Sequence, residues 1–142
     1  QFSEAERHLN KVRETAKNHP EATYHLVLTL VAKKTDESKA DAMSIARAAY
    51  EAYPDSALTN AALGSALFAS GNVKDAEAFL RSAIAKQDVQ PECIFLLGRL
   101  LDYLGKESEA RELAAKLKAH MDDVNVFVTR RAAEKWVAQT LN

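Results

Sequence analysis

Residues 57–76 read ALTNAALGSALFASGNVKDA, and residues 91–110 read PECIFLLGRLLDYLGKESEA. Laid over each other with a shift of 34, they bring Gly64 onto Gly98, Gly71 onto Gly105 and Ala76 onto Ala110. Those four are all the glycines of the chain. Ala42 stands one step earlier on the same frame, and Pro20 and Pro54 share the 34-residue spacing. A fixed period of this length marks helix pairs stacked in an array, where each pair buries its apolar face against its neighbours.

Composition agrees with helices. Of 142 residues 47% are hydrophobic, with Ala and Leu well ahead of Val and Ile, and only three are Pro. Such proportions favour helix over sheet. Nineteen basic residues stand against 20 acidic ones, so no long-range field draws the chain to nucleic acid or to anionic lipid. No apolar run approaches the roughly 20 residues that cross a bilayer. A single cysteine, Cys93, excludes an internal disulfide and leaves the redox compartment open.

The periodicity predicts about eight helices joined by short turns, and no strand. Ser3 to about Asn18 forms the first, with Ser3 and Glu6 at capping-box spacing. Ala22 to about Lys33 is apolar nearly all round and is expected to be buried on two sides. Lys34–Lys39 is expected to turn, and Ala40–Tyr53 to return with Ala42, Ala46 and Ala49 on one face. Ser56–Ala69, Val73–Lys86, Pro91–Leu104 and Ser108–His120 follow. Asp122 or Asp123 then caps a last helix that reaches Leu141.

Ala62-Leu63-Gly64 with Leu67, Gly71, Ala76, Leu80 and Ala83 resembles a tetratricopeptide repeat, as does Leu97-Gly98 with Leu101, Gly105, Ala110 and Leu117. A mid-helix glycine costs about 1 kcal/mol against alanine, so each is expected where a neighbouring helix comes close. The family's aromatic pair is missing, since Asn60, Leu67, Ile94 and Leu101 hold those places. Residues 57–124 match best, whereas the unit before them lacks a glycine and offers Thr29 with an uncertain register. Near the end Ala132 takes the glycine's place and Lys135 that of a core leucine.

The resemblance implies an all-α, right-handed superhelical solenoid of antiparallel helix pairs. Its divisions are a half repeat at 1–20, repeats at 21–56, 57–90 and 91–124, and a capping helix at 125–142. A chain that opens on half a repeat is expected to be an excerpt of a longer protein. In such a solenoid the first helix of each pair lines the concave face. Spacing from Gly64 then puts Leu58, Ala61, Ser65 and Phe68 inward, and one period later Glu92, Phe95, Arg99 and Asp102. Lys33 or Lys34 extends that surface at one side and Thr129 at the other.

Phe68 and Phe95 are candidate apolar anchors, and Arg99 a candidate partner for a carboxylate or carbonyl. Two alternatives stand beside this. The phenylalanines pack between first helices, or Arg99 and Asp102, three apart, pair with each other. The family's chaperone-tail groove uses lysines and asparagines, and Leu58, Ala61, Ser65 and Phe95 disfavour it here.

No catalytic or metal pattern competes. His8, His19, His25 and His120 lack ligand spacing, and Cys93 has no Cys or His nearby in sequence. Neither a phosphate loop nor a serine elbow is present. The expectation is therefore a non-catalytic scaffold without cofactor or metal that takes a peptide or partner domain in its groove. It is expected to bind no nucleic acid and to insert in no membrane. The alternatives are self-assembly through exposed terminal helices, or a segment of a larger enzyme, secretion or regulatory protein.

Overall fold

A computed structural model describes residues 3–7, 19–121 and 129–142. Residues 3–7 are helical, and the rest of the first expected helix lies outside the described residues. Seven further helices follow: α1 (Pro20–Lys33), α2 (Asp36–Ala52), α3 (Ala57–Ala69), α4 (Val73–Ile84), α5 (Pro91–Tyr103), α6 (Glu107–His120) and α7 (Arg130–Leu141). No strand occurs among the described residues.

The two glycine turns are built alike. Gly71 (φ 86°) donates its N–H to the Phe68 carbonyl, and the Asn72 N–H reaches back to Leu67 O at 2.9 Å. Gly105 (φ 76°) repeats this with Asp102, and Lys106 with Leu101 at 2.9 Å. A left-handed residue after the helix lets two orphan carbonyls find donors, and glycine takes that conformation without a Cβ penalty.

The first pair turns differently from expectation. The bend is confined to Lys34 and Thr35, and α2 is already helical from Asp36. The cause is a reciprocal cap: the Ser38 N–H donates to Thr35 Oγ1 at 3.0 Å, and the Thr35 N–H donates to Ser38 Oγ at 3.2 Å. Lys34 supplies the left-handed conformation (φ 61°) without being glycine. Ala42 is thus the seventh residue of α2, where Ala76 and Ala110 are the fourth of α4 and α6. The frame holds at the buried alanines while α2 gains a turn at its start. Thr29 is half-buried, its hydroxyl on the His25 carbonyl at 2.8 Å.

Ser56 caps α3 by accepting the Leu58 N–H, and the buried Asn60 amide donates to the carbonyls of Pro54 and Ser56 at 2.9 and 2.8 Å. Asn60, in a place the family gives to an aromatic residue, therefore fastens α3 to the turn before it.

Helices α1, α3, α5 and α7 form a row in which each packs on the next, and α2, α4 and α6 each pack between two successive members of that row. Helix α1 is buried on two sides as expected, with Leu26 and Val27 fully enclosed. Phe95, Leu97, Leu100 and Leu101 do the same in α5. Each such side chain contributes about 1.5–3 kcal/mol on leaving water.

The end of the chain departs from the expected register. Helix α7 starts at Arg130 with Thr129 at its cap position, while Asp122 and Asp123 lie outside the described residues. Ala132 is exposed and Ala133 is fully buried, so Ala132 does not take the glycine's place. Trp136 decides that register, because its indole occupies the space beside Gly98.

Candidate partner-binding groove

Three first helices wall a half-open cavity of about 480 Å³. Leu28, Val31 and Ala32 come from α1, Ser65, Phe68 and Ala69 from α3, and Leu96 and Arg99 from α5. Leu80 of α4 closes the floor, and Thr129 stands at the far edge. Lys34 in the first turn and Lys39 in the first turn of α2 complete the wall. Its lining is largely apolar, with three cations and, among the described residues, no carboxylate.

Ser65 is 7% exposed and its Oγ has no hydrogen-bond partner among the described residues. A buried hydroxyl left alone loses about 1–3 kcal/mol against a satisfied one. Arg99 is exposed, and its guanidinium carbon sits 5.5 Å from the centre of the Phe95 ring. That cation–π contact holds the head group at the cavity while leaving its N–H donors outward.

The sequence-derived residues divide into two groups. Ser65, Phe68 and Arg99 line the cavity, as do Lys34 and Thr129. Lys33 instead pairs with Glu6 at 2.7 Å, and Leu58 is half-buried against the core. Phe95 is 1% exposed and packs edge-on to Trp136, with ring centres 5.8 Å apart. It supports Arg99 from beneath and offers no open face. Asp102 accepts the Trp136 indole N–H, so it is engaged by α7 and does not pair with Arg99.

Glu92 was expected on the inward surface, and the structure buries it to 2% exposure. Its carboxylate accepts the Tyr24 hydroxyl at 2.6 Å, the Thr129 backbone N–H at 2.6 Å and the Thr129 hydroxyl. One side chain thus joins α1, α5 and the start of α7. A carboxylate there also suits the positive end of the α7 dipole. Burial, and then the Glu92 charge, push the Tyr24 phenol well above its ordinary range, so it remains a donor. Burial likewise pushes the Cys93 thiol up to about 12, which leaves no reactive thiolate near neutral pH.

Lys39, Leu28, Val31 and Leu96 are cavity residues that the glycine frame alone does not reach. The Thr35-x-x-Ser38 spacing is the signal for Lys39, because a cap at Thr35 puts it in a helical first turn. Leu28, Val31 and Leu96 read as ordinary core positions, and only the spacing of the helices opens a cavity beside them. Among the described residues no helix is long and apolar enough to cross a membrane.

The family model of the tetratricopeptide repeat matches residues 40–93, from the first turns of α2 through α3 and α4 to the start of α5. No curated protein and no solved structure matches the chain. Residues 40–93 are therefore similar to tetratricopeptide repeats, a family that generally serves as non-catalytic scaffolds for protein interaction.

Proposed function

We propose that the chain is a tetratricopeptide-like solenoid, divided at 20, 56, 90 and 124, that holds a peptide segment of a partner protein between its first helices. Leu58, Ser65, Phe68, Phe95, Arg99, Asp102 and Lys33 were the expected groove set. Ser65, Phe68 and Arg99 are the contact residues in this reading, and Phe95 and Asp102 position their neighbours. The observation that carries it is the apolar cavity of about 480 Å³ to which α1, α3 and α5 each contribute. Its size lies in the range of true ligand sites, roughly 300–1,000 Å³.

Phe68 supplies the apolar contact. It is half-buried on the cavity wall and stacks edge-on with Tyr103, ring centres 5.4 Å apart, beyond the cavity. A rigid aromatic at such a site carries much of a peptide's affinity.

A random-peptide display library selected on the protein tests this. Selected peptides are expected to lose about ten-fold or more in affinity for the Phe68→Ala/Arg99→Glu variant, given the ≥ 1 kcal/mol usual for anchor residues. Peptides that bind the variant as well as the parent place the binding surface elsewhere. Circular dichroism of the variant checks the fold, which neither half-exposed Phe68 nor exposed Arg99 holds together.

A further inference from the structure

On the reading that this cavity is the binding site, we infer that the segment it takes carries an acidic side chain next to a large apolar one. Lys34, Lys39 and Arg99 converge on the cavity. The ion pairs Lys33–Glu6, Arg81–Glu77, Arg81–Glu109, Lys106–Glu77 and Arg130–Glu134 involve none of these three. The chain as a whole has a net charge of −1, so three cations in one cavity, without an ion pair among the described residues, are a local arrangement and no reflection of a basic surface.

Ser65 adds an independent sign. Its hydroxyl is enclosed, lines the same cavity and has no hydrogen-bond partner among the described residues. A ligand carboxylate there would accept from this hydroxyl, whose enclosure strengthens such a bond, and from the charged Arg99 guanidinium. The low-dielectric apolar wall also makes a further cationic group a poor tenant beside three cations.

The apolar neighbour follows from what flanks the cations. Leu28, Val31 and Leu96 wall the cavity, and the Phe68–Tyr103 pair carries the surface past it to Tyr103, 69% exposed. Apolar contact thus continues past the charged patch towards Tyr103, which fits a chain running on rather than ending there. The acid is accordingly a side chain and not a terminal carboxylate.

Calorimetric titration with short acetylated, amidated peptides tests this directly. One set carries a Glu-Phe core, a second Gln-Phe, a third Lys-Phe, and a fourth Gln-Phe with a free C-terminus. The Glu-Phe peptide should bind about ten-fold tighter than its Gln-Phe counterpart, and its affinity should fall as salt rises. Arg99→Gln, Lys39→Gln and Ser65→Ala should each weaken the Glu-Phe peptide several-fold and the Gln-Phe peptide by less, narrowing the preference between them. Equal binding of Glu-Phe and Gln-Phe overturns the charge assignment, as does preference for Lys-Phe. Tighter binding only by the free terminus overturns the side-chain assignment.

Phe68→Ala separates the two readings. If it weakens every peptide while Glu and Gln bind alike, the groove stands and its acidic preference falls. If it weakens none, or if no peptide binds, both fall.

Discussion

Helix α3 is apolar or small where α5 is polar or aromatic, although the two lie on one frame. Glu92 stands where α3 has Leu58, Phe95 where it has Ala61, Arg99 for Ser65 and Asp102 for Phe68. Gly64 and Gly98 are the shared point, and even they face different things. A Cβ on Gly64 would meet Leu80 Cγ at 2.7 Å and the Ala76 carbonyl at 3.3 Å, both on its own partner helix. A Cβ on Gly98 would run into the indole of Trp136, on the last helix. Glycine thus serves close pairing within a repeat at one site and the seating of a terminal helix at the other. The α3 glycine is closed over by its own partner α4, while the α5 glycine is closed over by α7.

The largest way to break that comparison is at the indole. Trp136→Ala should cost about 3–5 kcal/mol, the usual loss for deleting a large buried aromatic, read by urea denaturation. Gly98→Ala should cost about 1–3 kcal/mol in the parent, because the rigid ring has to move out of the added methyl's way. In the Trp136→Ala background the same change should cost nothing or stabilise, since alanine then contributes only its better helix propensity. Gly64→Ala should be indifferent to Trp136. A Gly98→Ala cost that survives removal of the indole would show that α5 and α3 use their glycines alike.

Much of this difference was legible in the residues and part was not. The frame located the turns at Gly71 and Gly105, the buried Ala42, Ala76 and Ala110, and the helix order, because each follows from local backbone chemistry repeated in register. Ser65, Phe68 and Arg99 fell on one face by simple spacing. Phe95 was equally well spaced, but its burial is set by Trp136, 41 positions later (136 − 95). No periodicity records a contact made once. The two-residue turn at Lys34-Thr35 was missed for another reason: a polar stretch reads as loop, although Thr35 and Ser38 there form a cap. Ala132 was misplaced because the buried face of α7 is set by Trp136 and Ala133, one residue off the 34-residue count.

Glu92 sharpens the comparison at intermediate size. Its frame partner Leu58 is half-buried and apolar, so only α5 links α1 to the start of α7 through a carboxylate. Glu92→Gln replaces one acceptor by an NH2 group that faces donors, and should cost about 1–3 kcal/mol. Hydrogen exchange should localise the loss to α7 and to the beginning of α1, leaving the α3–α4 pair protected as before. Uniform loss of protection would mean that the carboxylate acts on the whole array and not on its end.

The smallest effect concerns how the two repeats join on their outer side. Arg81 of α4 pairs with Glu77 at 2.8 Å and with Glu109 of α6 at 3.0 Å, and Lys106 reaches Glu77 at 3.0 Å. One period earlier the frame puts Arg47 and Asp75 in the places of Arg81 and Glu109, and no ion pair forms there among the described residues. The Arg81 hydrogen bond holds both Glu77 and Glu109 below the usual carboxylate range. Carboxylates depressed by folding stabilise the protein above their unfolded values, and that contribution is lost as pH falls through the folded ones. Arg81 itself is raised and stays charged throughout. Because the groups are mostly in water, Arg81→Met should lower the melting temperature by only roughly 1–3 °C at neutral pH. The gap between parent and variant should close as thermal melts are carried below the ordinary carboxylate range, and should shrink in high salt. A gap that persists in acid would place the role of Arg81 in the packing of its aliphatic stem between α4 and α6 and not in its charge.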